Sequence, residues 1–435
     1  MRKGWLIAFA AMGLNLTLGV IYSWSVFNKV LSKPIAEGGY GWTDSMGGWP
    51  FTLSIVVWAV LMIPAGRLQD KIGPRLIITL GAIFLGIGMF ISSFAAPVPA
   101  GIELQTLSTW NQVVLAWPAL VGVGVFAGAG IGLGYACATP ATVKWFPPTM
   151  KGRATGVVVA GMGLASMYIA PLANHLIQSY GITSGFRILG IVFAVAGCIF
   201  AQIIRNPPAG YVPEPDLKAK KNVPASASNS GKDYAWTYMI KTPIFYLIWL
   251  QFVCGTSAGL MIIGKIAKIV DLQSGGVLVA GAMFVALLSL FNATGRVCSG
   301  FLSDRLGANR TLLLACSIQI VVMLVFPHMS TMAGFAVVSA LVGFNYGACM
   351  PLFPTMTAGF WGNKNLGMNY GVLYSAWGVA GVVCPMISGY IYDTTGSYNE
   401  AYFAAAVLLG ITVVLGIVRD KWGEALSVPI AGKLA

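Results

Sequence analysis

The residue with the greatest chemical consequence is Arg296, in the stretch Ser289-Leu-Phe-Asn-Ala-Thr-Gly-Arg-Val-Cys-Ser-Gly-Phe-Leu-Ser-Asp304. The stretch closes an apolar run that begins near Gly276 and reads as a membrane-crossing helix ending at Asp304. Arg296 precedes Asp304 by eight residues. That is about 12 Å along a helix, close to the middle of a hydrocarbon layer about 30 Å thick. A charge there costs at least ~2.5–3.5 kcal/mol unless it faces protein or a water-filled cavity, and arginine does not shed its proton. Two readings follow: a site for something anionic, or a structural cation satisfied by backbone carbonyls. Asn292, four residues earlier, shares the helix face of Arg296.

Few other polar groups fall at membrane depth. Tyr22 lies towards the outer part of the first apolar run, and Tyr135 follows a Gly-rich stretch whose small residues permit close helix approach. Asn345 and Tyr346 lie midway along the tenth run; Asn369, Tyr370, Tyr374 and Trp377 lie in the first half of the eleventh. A tyrosine offers a hydroxyl donor on an apolar ring, suited to orienting a small carboxylate against an arginine. Each tyrosine alone serves equally as an interfacial anchor or a core residue, so convergence with Arg296 carries the functional reading. The candidate substrate-binding set is Arg296, Tyr135, Tyr22, Asn292, Tyr346, Tyr374, Trp377 and Asn345. His175, on the fifth run, reads as a packed or interfacial histidine. No Asp or Glu lies well inside any run; Asp271 and Asp393 are near outer ends. No Ser/His/Asp, metal-ligand or nucleotide-binding constellation is present, so no enzyme, cofactor or metal is expected.

These residues sit in a chain of 435 residues that is 57% hydrophobic and 9% charged. A soluble domain carries about 25% charged residues, so the chain reads as an integral membrane protein in contact with a lipid bilayer. The net charge of +13 does not imply nucleic acid, because the basic residues occupy short loops between apolar runs. The seven cysteines are scattered through apolar segments without a CxxC, which excludes a disulfide framework or zinc site. Runs long enough to cross a bilayer fall near 5–28, 47–67, 76–96, 113–140, 154–178, 184–204, 243–266, 276–301, 311–328, 332–357, 366–391 and 399–418. The fold expected is an all-α membrane protein of twelve transmembrane helices in two six-helix bundles. The bundles cover residues 1–204 and 243–435, the second ending in a short tail, with a Pro-, Ser- and Lys-rich linker at 205–242. The first run exceeds a signal-peptide core in length and is expected to be retained. With the N-terminus cytoplasmic, that side collects 20 of the 26 Lys and Arg, including Lys218, Lys220, Lys221, Lys232 and Lys433. The opposite side has five, and Arg296 is the remainder. The split places both termini in the cytoplasm of a cell (inner) membrane protein.

The halves repeat. Gly66-Arg-Leu-Gln-Asp70-Lys-Ile-Gly73 returns as Gly300-Phe-Leu-Ser-Asp304-Arg-Leu-Gly307, an offset of 234. Asp70, Arg75, Asp304 and Arg305 at these turns read as a charged latch between repeats or as topology signals alone. The same offset pairs Arg296 with Met62, so symmetry does not require a charge there.

This repeat, over essentially the whole chain, resembles the major facilitator superfamily of secondary transporters. The resemblance implies a substrate cavity between the halves, exposed alternately to each side. Within it, Tyr22-Ser-Trp24, Lys144-Trp-Phe-Pro147, Lys151-Gly-Arg-Ala-Thr-Gly156, Lys241-Thr-Pro243, Phe291-Asn292 with Arg296, Leu352-Phe-Pro354 and Asn369-Tyr-Gly371 through Trp377 resemble bacterial oxalate/formate antiporters and the related monocarboxylate transporters. The resemblance places Arg296 as the carboxylate-binding arginine, with Tyr22, Tyr135, Tyr346 and Tyr374 enclosing the substrate. Two positions depart. The oxalate transporter has a lysine where this chain has Trp377, and one buried cation favours a monoanion such as lactate or pyruvate over a dianion. Proton-coupled animal monocarboxylate transporters carry an aspartate where this chain has Asn292, so proton coupling rests on resemblance and anion exchange stays open. The expectation is a monomeric secondary transporter of small monocarboxylates, proton-coupled; the alternative is an oxalate/formate-type antiporter.

Overall fold

Inside hydrocarbon a backbone must satisfy its own polar groups, and long runs of Leu, Ile, Val, Ala and Gly meet that demand as helices. The computed structural model describes residues 2–99, 108–208, 210–213, 233–263, 265–274 and 281–426 and has no strand among them. Most of the 205–242 segment, including Lys218, Lys220, Lys221 and Lys232, lies outside the described residues, as do Gly276 and Lys433.

Among the described residues, eleven stretches are long and apolar enough to cross a membrane. Ten are Arg2–Ser32, Ser45–Ile72, Pro74–Ser92, Thr109–Val143, Pro243–Ile263, Met283–Leu306, Ala308–His328, Met332–Trp361, Leu366–Thr395 and Asn399–Trp422. The remaining one contains a helix, Lys151–Ile203, of 53 residues. At 1.5 Å per residue it would extend about 80 Å, far beyond the ~30 Å of a bilayer core. It turns back at Gly181, whose φ of 81° and ψ of 162° interrupt the helix. The fifth and sixth spans therefore meet at Gly181, and the chain crosses twelve times in two six-helix bundles.

The repeated turn is built the same way twice. Gly73 and Gly307 adopt φ values of 88° and 87°, a left-handed region that other residues rarely enter, and each ends one span and begins the next. Pro74 then supplies an opening position of the third span, where its missing N–H costs nothing.

Three spans are discontinuous. The first passes from α-helix to a tight 3₁₀ stretch at Gly19–Ser23, then resumes at Trp24–Ser32. The fourth widens into a π-helical segment at Leu120–Ala127. The tenth breaks between Met332–Cys349 and Leu352–Trp361, at Pro351. Such breaks are tolerated at membrane depth only within protein or beside a cavity.

The bundles meet chiefly through two helix pairs, the second span with the eleventh and the fifth with the eighth. Without a hydrophobic force between helices in lipid, close approach requires small residues. Side chains added at Gly66 and Gly367 would each strike the other's carbonyl; Gly152 and Gly300 show the same mutual relation. Further in, Gly371 abuts the Met62 carbonyl and Gly156 abuts the Arg296 carbonyl. Met62 and Arg296 differ by 234; Gly152 and Gly367, like Gly156 and Gly371, differ by 215. The two interfaces are therefore copies. Residues such as Ile191 and Val407, 65% and 64% exposed, form the outer surface that lipid covers.

Candidate functional site

Arg296 is 1% exposed, at the interface between the eighth and fifth spans. Its Nε donates to Asn292 Oδ1 at 2.8 Å, and its Nη1 donates at 2.8 Å to the Val159 carbonyl of the other bundle. Both acceptors are neutral. Among the described residues no Asp or Glu forms an ion pair with Arg296. Hydrogen bonding is thus partly satisfied while the charge is not, and a guanidinium held this way favours an anion beside it.

Around it lie aromatic rings from both bundles. Tyr22 occupies the 3₁₀ stretch of the first span, half-buried, within reach of the Arg296 guanidinium and the Tyr346 hydroxyl. The Trp377 indole donates to the Tyr346 hydroxyl at 3.0 Å. Tyr135 lies 5.3 Å from Trp58 and 5.4 Å from Tyr374, its hydroxyl within reach of those of Tyr370 and Tyr374. Trp58 and Trp377 meet at 4.7 Å, and Tyr374 and Trp377 at 5.2 Å. The arrangement combines one permanent cation with an aromatic wall carrying a few hydroxyl and indole groups. It can hold a small anion with a compact apolar body.

The structure thus brings Arg296, Asn292, Tyr22, Tyr135, Tyr346, Tyr374 and Trp377 to one region. It does not bring Asn345 there. The Asn345 amide donates to Gln319 at 2.9 Å, inside the second bundle. Adjacent helical residues point about 100° apart, so when Tyr346 faces the centre Asn345 cannot. His175 is exposed on the surface of the fifth span. Sequence reasoning did not single out Trp58, Tyr370 as a contact, or the Val159 carbonyl. Trp58 was findable, because it lies 234 residues before Asn292. Tyr370 precedes Tyr374 by one helical turn and shares its face. A main-chain carbonyl has no residue type to announce it.

At the end of the bundles carrying the two repeated turns, Asp304 accepts three hydrogen bonds from the first bundle. These come from the Gly152 amide at 2.8 Å, the Arg153 amide at 3.1 Å and Arg153 Nε at 2.8 Å. Asp70 accepts from the Met368 amide at 2.9 Å and from Lys144 at 2.9 Å. Each aspartate therefore caps the start of a helix in the opposite bundle, where unpaired N–H groups and the helix dipole favour negative charge. Lys151 adds a bridge to Asn363 at 2.9 Å. The expected cations, Arg75 and Arg305, are not part of this closure. Both are exposed, and Lys144 and Arg153 take their place.

Residues 4–358 match the family described as the Major Facilitator Superfamily. An uncharacterized MFS-type transporter of Escherichia coli (strain K12) is 26% identical over 385 residues, 88% of this chain and 87% of the relative. The oxalate:formate antiporter of Oxalobacter formigenes is 26% identical over 414 residues, 94% of this chain and 89% of the relative. Monocarboxylate transporter 12 of Homo sapiens is 25% identical over 384 residues, 83% of this chain and 70% of the relative. Among solved structures, a variant of the E. coli fucose:proton symporter superposes with a TM-score of 0.63 at 13% identity, covering 93% of this chain and 98% of the other. A proton:xylose symporter bound to a bromodeoxyglucose gives a TM-score of 0.67 at 12% identity, covering 97% and 96%. These two likenesses concern the fold.

Proposed function

The chain belongs to the Major Facilitator Superfamily, and from that premise we propose that it is a secondary active transporter of small monocarboxylates, lactate, pyruvate or a similar acid. The observation that carries the reading is Arg296, 1% exposed and without an acidic partner among the described residues, set among tyrosines of both bundles. A carboxylate bound there cancels the charge, and a near-neutral loaded site is occluded at lower cost than a bare cation. The bundles can then rock about it, one end closing through Asp70 and Asp304 while the other opens.

Among the described residues the aromatic wall carries no second cation beside Arg296, which supports a monoanion over a dianion. Trp377, 1% exposed, lines that wall with a neutral indole. The relatives named for oxalate:formate exchange and monocarboxylate transport support a carboxylate substrate. Proton coupling is part of the proposal by resemblance. The neutral Asn292 beside Arg296 favours a second reading, anion exchange without a proton. The distribution of Lys and Arg supports the latch end, with both termini, lying on the cytoplasmic side of the inner membrane.

The test is uptake of labelled pyruvate and lactate into proteoliposomes by wild type and by Arg296→Ala, with and without an imposed pH gradient. Loss of uptake in a variant that still elutes as a monodisperse species supports the role of Arg296. Uptake at wild-type rate refutes it. Acceleration by an inward proton gradient supports symport; uptake driven only by preloaded acid supports exchange.

A further inference from the structure

We propose that Trp58 is a specificity-determining residue of this site, its indole N–H donating to an oxygen on the carbon next to the substrate carboxylate. The site then selects 2-oxo and 2-hydroxy acids over unsubstituted monocarboxylates of the same size. The inference rests on the monocarboxylate reading of Arg296 and deepens it.

Trp58 is 1% exposed, and its Nε1 has no hydrogen-bond acceptor among the described residues. Indole is a donor only, and a buried N–H without an acceptor is costly, so it calls for an oxygen that the protein itself does not supply. The neighbouring indole shows the contrast: Trp377 spends its N–H on the Tyr346 hydroxyl at 3.0 Å. The Trp58 ring is not remote from the cation. It packs 5.3 Å from Tyr135, whose ring in turn feels the charge of Arg296, and 4.7 Å from Trp377.

The internal repeat places it more tightly. Trp58 and Met62 on the second span lie 234 residues before Asn292 and Arg296 on the eighth. Where one bundle offers the centre an amide beside a cation, the other offers an indole beside a thioether. The cation takes the carboxylate; the lone N–H faces a ligand with one more acceptor. A keto and a hydroxyl oxygen both accept, so lactate and pyruvate satisfy the indole equally, while propionate leaves it bare. The other orphaned nitrogens among the described residues lie elsewhere: Gln319 pairs its amide with Asn345 inside the second bundle, and Arg419 bonds Gln251 there.

The experiment measures equilibrium binding of pyruvate, lactate and propionate to the purified protein, for wild type and Trp58→Phe, which keeps a smaller aromatic ring and removes the donor. Wild type is expected to bind the two oxygenated acids about five- to tenfold more tightly than propionate, the worth of one net hydrogen bond. In Trp58→Phe the preference falls to within about twofold, with propionate affinity unchanged. Should the phenylalanine variant fail to fold, the 3-benzothienylalanine isostere at position 58 replaces N–H by sulfur and gives the same comparison. Equal binding of all three acids to wild type, a preserved preference in the variant, or equal weakening of all three overturns the role of Trp58 alone. Failure of wild type to bind any of the three overturns it together with the monocarboxylate reading.

Discussion

The Asn292 side-chain oxygen lies 2.8 Å from Arg296 Nε, one helical turn away, and the Val159 carbonyl lies 2.8 Å from Nη1. The guanidinium is aimed from both bundles by acceptors that carry no charge. Replacing Asn292 by aspartate supplies the countercharge from within. A carboxylate beside the guanidinium forms an ion pair with it, so while ionised the variant's aspartate competes with substrate. Protonation of the aspartate releases the competitor. Asn292→Asp is therefore expected to lose at least about tenfold of pyruvate uptake near neutral pH and to regain it as pH falls through the new carboxyl's range. A variant that is unimpaired, or impaired equally at every pH, contradicts this account of the pair.

Arg296→Lys keeps the unit charge and loses the fork. Lysine is a compact point charge with rotatable donors, and it cannot address Asn292, Val159 and a carboxylate in fixed directions at once. Uptake is expected to fall at least about tenfold, mainly through a raised KM, because one charge-assisted hydrogen bond is worth roughly 1.5–3 kcal/mol. Kinetics in proteoliposomes decide it; retention of the wild-type KM contradicts the directional role.

The two aspartate caps are unequal. Asp304 takes three hydrogen bonds from the opposite bundle, whereas Asp70 takes one from Met368 and another from Lys144 of its own bundle. Asp304→Asn should therefore open this end more than Asp70→Asn. Spin labels at the exposed Lys71 and Lys364, as Lys71→Cys and Lys364→Cys, report the separation of the bundles there. Exposed Cys298 is replaced by serine to keep labelling specific. The mean distance is expected to lengthen in Asp304→Asn and to change little in Asp70→Asn. The reverse order contradicts the inequality of the caps.

The fold was legible because lipid simplifies it. Length and hydropathy suffice to locate spans where only helices are allowed, and the repeat of Asp70 at Asp304 identified two bundles from one offset. The centre was legible wherever a side chain is expensive at mid-bilayer, as Arg296 is, or shares a helix face with one that is, as Asn292 does. It was less legible where direction matters. Asn345 and Tyr346 are adjacent polar residues of one span, and sequence does not say which of them faces the centre. Trp58 carried only the signal of the repeat, 234 residues before Asn292; that its N–H lacks an acceptor shows only in the structure. Arg75 and Arg305 were expected in the latch because they follow the aspartates closely in sequence, Arg305 directly and Arg75 five residues on. The caps instead face helix starts across the interface, where Arg153 lies beside Asp304, while Lys144 reaches Asp70 from its own bundle.

Trp377→Lys tests whether the count of buried cations sets the substrate. Trp377 is 1% exposed between Trp58 and Tyr374, at 4.7 Å and 5.2 Å, and on the same aromatic wall as Arg296's tyrosines. An ammonium there keeps some favourable contact with the ring faces, yet two like charges in a dry centre repel. The empty variant is therefore expected to be less stable than wild type, and a dianion, offering one carboxylate to each cation, is expected to restore the difference. Oxalate should bind the variant at least about tenfold more tightly than it binds wild type, because each added charge-assisted contact is worth roughly 1.5–3 kcal/mol. Pyruvate, which can neutralise only one cation, should bind the variant more weakly than wild type. Ligand-induced shifts in melting temperature of the two purified proteins measure both effects side by side. A variant that gains for both acids alike shows that net charge in the centre, not the pairing of one carboxylate to one cation, governs affinity, and the monoanion preference assigned to this site falls.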